Sequence, residues 1–221
     1  FIRCLILLCW PVFALAGGLP VTDLALLVDA DGNETIASVS APLASERFRP
    51  LDRPLNAGYT RAVHWLRFTV QPPTPGEWWL EMQPPFVDDL RLYEPMPSAP
   101  GAAPTLRERR YGDHLPFAAR EVPYRAFVSR LQLPDTQPRT YYLRLQTTST
   151  SMAFLHLWQP PEFHQAVALE YTLQGVFYGL MATVLLLNLL YWAWLRDAFY
   201  GYFALHVLII GLLFAGANVG A

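Results

Sequence analysis

The sequence predicts an all-β fold, an antiparallel jelly-roll-like β-sandwich, followed by transmembrane α-helices. Three observations carry that prediction. Segments such as VHWLRFTV (Val63–Val70) alternate with period two, as a half-buried strand must. Clusters of Pro, Gly and Asp separate these segments, and no long 3.6-residue periodicity interrupts them, so helical crossovers and a parallel α/β sheet are not expected. Finally, Leu173–Leu195 carries no charged residue.

Composition supports two regimes rather than one. Of the 221 residues, 53% are hydrophobic and only 15% are charged, against about 25% charge in an ordinary globular domain. The charges lie mostly between Asp23 and Glu170. Net charge is -2, lysine is absent, and no basic cluster exceeds the Arg107–Arg110 run. That balance speaks against nucleic acid as a partner.

The opening residues, Phe1–Ala16, place Arg3 before an apolar run and end in Ala14-Leu15-Ala16, a small-x-small cleavage pattern. This reads as a secretory signal peptide. As a membrane anchor the run is short, and Pro11 interrupts it. Cleavage there would remove Cys4 and Cys9, leaving no disulfide, thiol nucleophile or cysteine metal ligand.

Residues 17–164 are expected to form the extracytoplasmic β domain. In Val63–Val70, Val63, Trp65, Arg67 and Thr69 face one way, and His64, Leu66, Phe68 and Val70 the other. Further strands are expected at Glu77–Met82, Asp89–Glu94, Tyr124–Leu133, Thr140–Thr147 and Met152–Trp158, with others at Leu24–Val28 and Ile36–Val39. Two-faced strands of this kind supply a two-sheet core. Pro95–Pro104, rich in Pro, Ala and Gly, reads as a surface loop.

Residues 165–221 are expected to begin a helical membrane bundle, with spans at about 173–195 and 199–219. At 1.5 Å per residue, Leu173–Leu195 is about 34 Å long, enough for a hydrocarbon core of ~30 Å. Tyr191, Trp192 and Trp194 cluster near its end as interface anchors do. Arg196-Asp197 makes a short polar turn before a second apolar run. With the β domain exported, Arg196 lies at the inner face. The second span then returns outward with no tail after it, so the chain is expected to be a piece of a longer protein.

Several phrases occur in a telling order: Trp65-Leu66-Arg67-Phe68, Gly112-Asp113 with Leu115-Pro116-Phe117 and Arg120, Tyr142-Leu143-Arg144-Leu145, Gly175 through Gly179, and Arg196-Asp197-Ala198-Phe199-Tyr200-Gly201-Tyr202. The order resembles the bacterial seven-transmembrane receptors with diverse intracellular signalling modules, over roughly Leu43–Ala221. The resemblance covers their extracellular sensory domain and the first two of seven helices. It implies a sandwich like those of carbohydrate-binding modules, five further helices, and a cytoplasmic output such as a diguanylate cyclase, a histidine kinase or a phosphatase-type module. It also implies the bacterial inner membrane, with the β domain in the periplasm or outside the cell, a small extracytoplasmic ligand with carbohydrate as one candidate, the lipid bilayer as surroundings, and pairing as a homodimer. A membrane-tethered carbohydrate-binding or envelope-assembly module without output is the alternative.

Catalysis finds little support in the residues. His64, His114, His156, His164 and His206 show no metal-ligand spacing, although His64 and His156 sit on strands that could bring them together. Asp88 and Asp89 point to opposite faces, and Glu77 and Glu81 merely flank Trp79 on one face. No serine has a G-x-S-x-G context, and no phosphate or dinucleotide loop occurs. No catalytic residue, metal or cofactor is therefore expected.

Binding fits better. Small polar ligands favour aromatic platforms with a few polar groups beside them. Trp65, Arg67, Trp79 and Tyr142 are the candidates, joined by Arg144, which with Arg67 matches the family phrases. These side chains serve equally as core aromatics and as braces in buried pairs. Arg120 would either clamp an anion or cap its own loop, and Gly112-Asp113 would make a turn. In the membrane, Gly175 and Gly179 allow close helix packing, and His206 is a polar group inside the second span. These three are expected to couple ligand state to helix packing.

Overall fold

The computed structural model describes residues 17–96 and 105–219. The expected signal peptide, both cysteines and most of the Pro95–Pro104 loop lie outside the described residues. The chain divides into two compact units, one of them Gly18–Pro160, the other holding two long helices.

Among the described residues, eleven strands build the first unit: β1 (Leu19–Pro20), β2 (Thr22–Asp29), β3 (Arg49–Pro50), β4 (Leu55–Tyr59), β5 (Val63–Val70), β6 (Gly76–Gln83), β7 (Asp89–Pro95), β8 (Leu106–Tyr111), β9 (Phe127–Leu133), β10 (Arg139–Gln146) and β11 (Thr150–Trp158). They form two antiparallel sheets. One has six strands in the order β3-β2-β5-β10-β7-β8; the other runs β1-β11-β6-β9, with β4 also paired to β11. The period-two faces close a core between them. Leu66 and Phe68 of β5, Leu92 of β7 and Leu143 of β10 meet Leu80 and Met82 of β6 and Leu131 of β9, all at 1% exposure or less. Side chains of this size stabilise by about 1.5–3 kcal/mol each when buried.

Several elements differ from the sequence expectation or exceed it. Ile36–Val39 is a one-turn helix, α1, and not a strand. The Thr35 side chain accepts from the Ser38 backbone N–H at 3.3 Å, and Ser38 Oγ accepts from the Thr35 N–H at 2.9 Å. That reciprocal cap satisfies two backbone donors at once, which four apolar-leaning residues without a cap cannot do. Strands β4 and β8, and the two-residue strands β1 and β3, have no counterpart in the sequence expectation. In β8, Arg107, Arg109 and Tyr111 share one face and Glu108 and Arg110 the other, so period two is present without a hydrophobic face to reveal it.

A second, smaller core lies on the outer side of the six-stranded sheet. Ala25, Leu27, Val63, Trp65 and Tyr93 are buried there beneath Val39 and Phe48. The segment after β2 thus folds back as a cover. Asp29 starts this return by accepting backbone N–H groups from Gly32 (2.8 Å), Asn33 (3.2 Å) and Glu34 (2.9 Å).

His64 is 2% exposed, and its Nδ1 has no hydrogen-bond partner among the described residues. Burial lowers its pKa from 6.5, with the nearby Ala62 backbone pulling more weakly the other way. The folded state therefore favours neutral imidazole. Its stability contribution is intact above about pH 6.5, the unfolded value, and is lost as pH falls through the lower folded value. The urea midpoint of the β unit is expected to drop between about pH 7 and pH 5, and to drop less in His64→Gln. Equal slopes in the two proteins would assign the acid sensitivity to other groups.

The second unit is a hairpin of α2 (Pro160–Leu195) and α3 (Ala198–Val219). Arg196 ends α2 in a left-handed conformation (φ 54°), its N–H donating to Trp192 O at 2.9 Å. Asp197 then caps α3, its Oδ1 accepting from the Phe199 N–H at 2.9 Å. Phe177 meets Phe214 edge-on at 5.6 Å, and Tyr191 lies 5.5 Å from Tyr200. Thr183 and Asn188 donate to the carbonyls of Gly179 (2.9 Å) and Val184 (2.8 Å), which satisfies polar groups within an apolar helix. Both helices are long and apolar enough to cross a membrane. The most apolar stretch of α2 is 0% buried and that of α3 is 6% buried, whereas a core helix of a globular protein would bury a full face.

Candidate functional site

The registers of the six-stranded sheet place four of the expected binding residues on one outer face. Tyr142 of β10 stands opposite Arg67 of β5, and Arg144 opposite Trp65. On the other side of β10, Tyr142 pairs with Tyr93 and Arg144 with Arg91. Arg91 in turn faces Arg110 of β8, and Tyr93 faces Glu108. Two rows result, Trp65-Arg144-Arg91-Arg110 and Arg67-Tyr142-Tyr93-Glu108.

The four expected residues play unequal parts. Trp65 is 1% exposed and stacks on Tyr93 at 5.7 Å, so its ring is core and offers no platform to solvent. Its indole N–H has no hydrogen-bond partner among the described residues. Tyr142 is half-buried, 6.2 Å from the Phe48 ring. Burial raises its phenol pKa, with Arg67 pulling the other way. The Arg67 guanidinium lies 5.0 Å from the Phe48 ring centre, in cation–π range, with no carboxylate partner among the described residues. Arg144 donates to Asp89 at 2.5 Å and to Gln146 at 2.8 Å.

Sequence reasoning passed over the rest of this face. Arg91 donates to both Asp89 oxygens, at 3.1 Å each, so one carboxylate sits between two guanidiniums. Glu108 accepts from Arg110 at 2.5 Å. Burial opposes the Glu108 charge, but hydrogen bonds from Arg110 and Tyr93 outweigh it and hold the carboxyl below its usual range. Burial first, then the bond to Glu108, push the Tyr93 phenol up to about 12, which keeps it a donor. The signal was available in DLRLYEP, where Asp89, Arg91 and Tyr93 alternate with the core residues Leu90 and Leu92. It was missed because β8, which supplies Glu108 and Arg110, was not read as a strand.

Trp79 and Arg120 lie apart from this face. Trp79 belongs to the outer face of the five-stranded sheet, opposite Trp158 of β11 and Arg130 of β9. It is 5% exposed, and its indole donates to Glu77 at 2.8 Å. Trp158 likewise donates to Glu81 at 2.8 Å, so the two carboxylates flanking Trp79 each receive an indole N–H. Arg120 follows a short 3-10 turn (Phe117–Ala119) and donates to the carbonyls of Tyr124 (2.7 Å) and Arg125 (2.5 Å), between the Phe117 and Phe127 rings. Those bonds brace its own loop.

His64 and His156 do not meet, since His64 is buried on β5 while His156 lies on the face of β11 that holds Trp158, opposite Glu81. Asp88, Asp113 and His114 bring their ligand atoms within 4.8 Å of one another. Asp113 and His114 are exposed, and Asp88 Oδ2 already accepts from the Thr148 N–H (2.7 Å) and hydroxyl (2.8 Å). This trio is accounted for as a loop corner.

In the hairpin, a Cβ added at Gly175 or Gly179 would meet nothing within 4 Å among the described residues. The close approaches are at Gly201, where a Cβ would lie 3.1 Å from Trp192, and at Gly211, 3.5 Å from Met181. The packing seam thus uses glycines of α3, while the Gly175–Gly179 face of α2 and the exposed His206 point away from it.

A family model described as 7TMR-DISM extracellular 2 matches residues 22–159. No curated protein matches the chain. Among solved structures, the chain is similar to a GH31 alpha-xylosidase (Xac1773) from Xanthomonas citri, with 14% identity and a TM-score of 0.34 over 66% of this chain. The chain covers only 15% of that enzyme's length. It is also similar to TmCBM61 in complex with beta-1,4-galactotriose, with 10% identity and a TM-score of 0.29, over 61% of this chain and 88% of that one.

Proposed function

The chain belongs to the 7TMR-DISM extracellular 2 family, and from that premise we propose that it is the input half of a bacterial membrane signalling receptor. Residues 17–164 act as the extracytoplasmic sensory domain, and residues 165–221 begin the membrane bundle in the inner membrane. A small ligand binds on the outer face of the six-stranded sheet, at Arg67, Tyr142 and Arg144. The bound state biases helix packing, with the open Gly175–Gly179 face and His206 available to further helices, and an output module elsewhere in the full protein responds. One observation carries this reading: a sensory-domain family match that ends at residue 159, where a helix long and apolar enough to cross a membrane starts at Pro160.

Sidedness provides the test. In a cysteine-free background, Tyr59→Cys, at an 83% exposed position of β4, is expected to react with a membrane-impermeant maleimide in intact spheroplasts. Asp197→Cys, in the helical turn, is expected to react only after the membrane is opened. Labelling of Asp197→Cys from outside together with protection of Tyr59→Cys would overturn the proposal.

A further inference from the structure

We propose that the ligand taken by the outer face of the six-stranded sheet is an anion: a carboxylate-, sulfate- or phosphate-bearing small molecule with a flat body. This rests on the assignment of that face as the binding face and goes beyond it by fixing the chemical class.

Charge comes first. Arg67, Arg91, Arg110 and Arg144 share the face with three carboxylates: Asp89 and Glu108, which pair with them, and Asp29, which is spent on the backbone N–H groups of residues 32–34. That leaves an excess of one positive charge (4 − 3) in a chain whose net charge is -2. Arg144, Arg91 and Arg110 stand directly opposite one another on three adjacent strands. Like charges in cross-strand register repel, so a sheet selected for stability alone would not build such a row. Asp89 is shared between Arg91 and Arg144 and neutralises only one of them.

Geometry then says where an anion would sit. Side-chain exposure rises along the row from 14% at Arg144 to 31% at Arg91 and 66% at Arg110, so the guanidiniums emerge from the covered half of the face into solvent. At the covered end, Arg67 is held over the Phe48 ring, a soft partner that orients a cation without neutralising it. Arg67 and Tyr142 are cross-strand neighbours. A planar guanidinium presents paired donors to a carboxylate or phosphate, and the phenol beside it offers a flat apolar surface and a hydroxyl for the ligand body.

The purified full chain, titrated at constant ionic strength and followed by tryptophan fluorescence, tests this with sodium D-glucuronate against D-glucose, and with inorganic sulfate and phosphate as bare anions. Glucuronate is expected to bind saturably and at least tenfold more tightly than glucose. Arg67→Gln, which breaks no ion pair among the described residues, is expected to weaken glucuronate at least tenfold. Raising the salt should weaken it further. If glucose binds as tightly as glucuronate and Tyr142→Ala abolishes both, the anionic class falls while the face assignment stands. If glucuronate binds but neither Arg67→Gln nor Tyr142→Ala changes it, the face assignment itself falls. No response to any of the three anions overturns the inference.

Discussion

Gly112→Ala lowers the stability of the β unit by about 3 kcal/mol or more. Gly112 adopts φ 148°, a conformation closed to ordinary L residues, and an added Cβ would lie 2.2 Å from the Asp88 carbonyl oxygen. Two costs combine. The backbone conformation costs on the order of 1–3 kcal/mol for a residue with a side chain, and displacing a backbone carbonyl in a packed corner adds roughly 1–3 kcal/mol. The corner is tied in place, since the Asp113 N–H donates to Val87 O at 3.0 Å and Asp88 holds the Thr148 loop. Gly76 separates the two costs. Its φ is 143°, but a Cβ there would meet nothing within 4 Å among the described residues. Urea unfolding of both alanine variants should show Gly112→Ala clearly the worse. Equal losses would mean that the approach to Asp88 contributes nothing.

Arg109→Ala is expected to cost a similar amount, about 3 kcal/mol, for an electrostatic reason. Arg109 faces inward from β8 at the open edge of the sandwich. It donates to Glu94 of β7 (3.1 Å), to both oxygens of Glu121 (2.8 and 2.9 Å) and to Ser129 of β9 (3.2 Å), so one side chain ties the two sheets together. Glu121 also accepts from the Tyr111 hydroxyl and the Arg130 N–H, both at 3.0 Å. Glu94 is 8% exposed. Removing the guanidinium leaves a nearly buried carboxylate whose remaining ion-pair partner among the described residues is the half-exposed Arg107, and stranding a buried charge costs about 3–5 kcal/mol. We place the loss at the low end because Arg107 remains. Arg110→Ala, on the same strand but paired at the surface, should cost about 0–1 kcal/mol. A loss at Arg109 no larger than at Arg110 would reduce the network to surface decoration.

The two predictions fall at places the sequence presented differently. Gly112-Asp113 read as a turn, and a Gly before an Asp is ample reason for that. What makes the glycine irreplaceable is Asp88, distant in sequence and brought close only when β7 and β8 pair. The Arg107–Arg110 run read as a modest basic cluster. Its alternation became a structure when Arg107 and Arg109 found Glu94 on the inner side and Arg110 found Glu108 on the outer. The expected binding set divided for the same reason. Arg67, Tyr142 and Arg144 share a face because β5 and β10 pair in one register, while Trp79, with an equally suggestive local pattern, went to the other sheet.

Local physics, and therefore the sequence alone, determined the class of each segment. Period-two alternation can be buried only as strands, and a charge-free helix-length run can satisfy its backbone in lipid without help, so sandwich and apolar hairpin were both legible from the residues. Tertiary structure decided which strands are neighbours, because pairing depends on long-range register that no local period encodes. That choice turned Trp65 into core, made Arg120 a brace, and gathered Arg91 and Arg110 beside the residues already suspected.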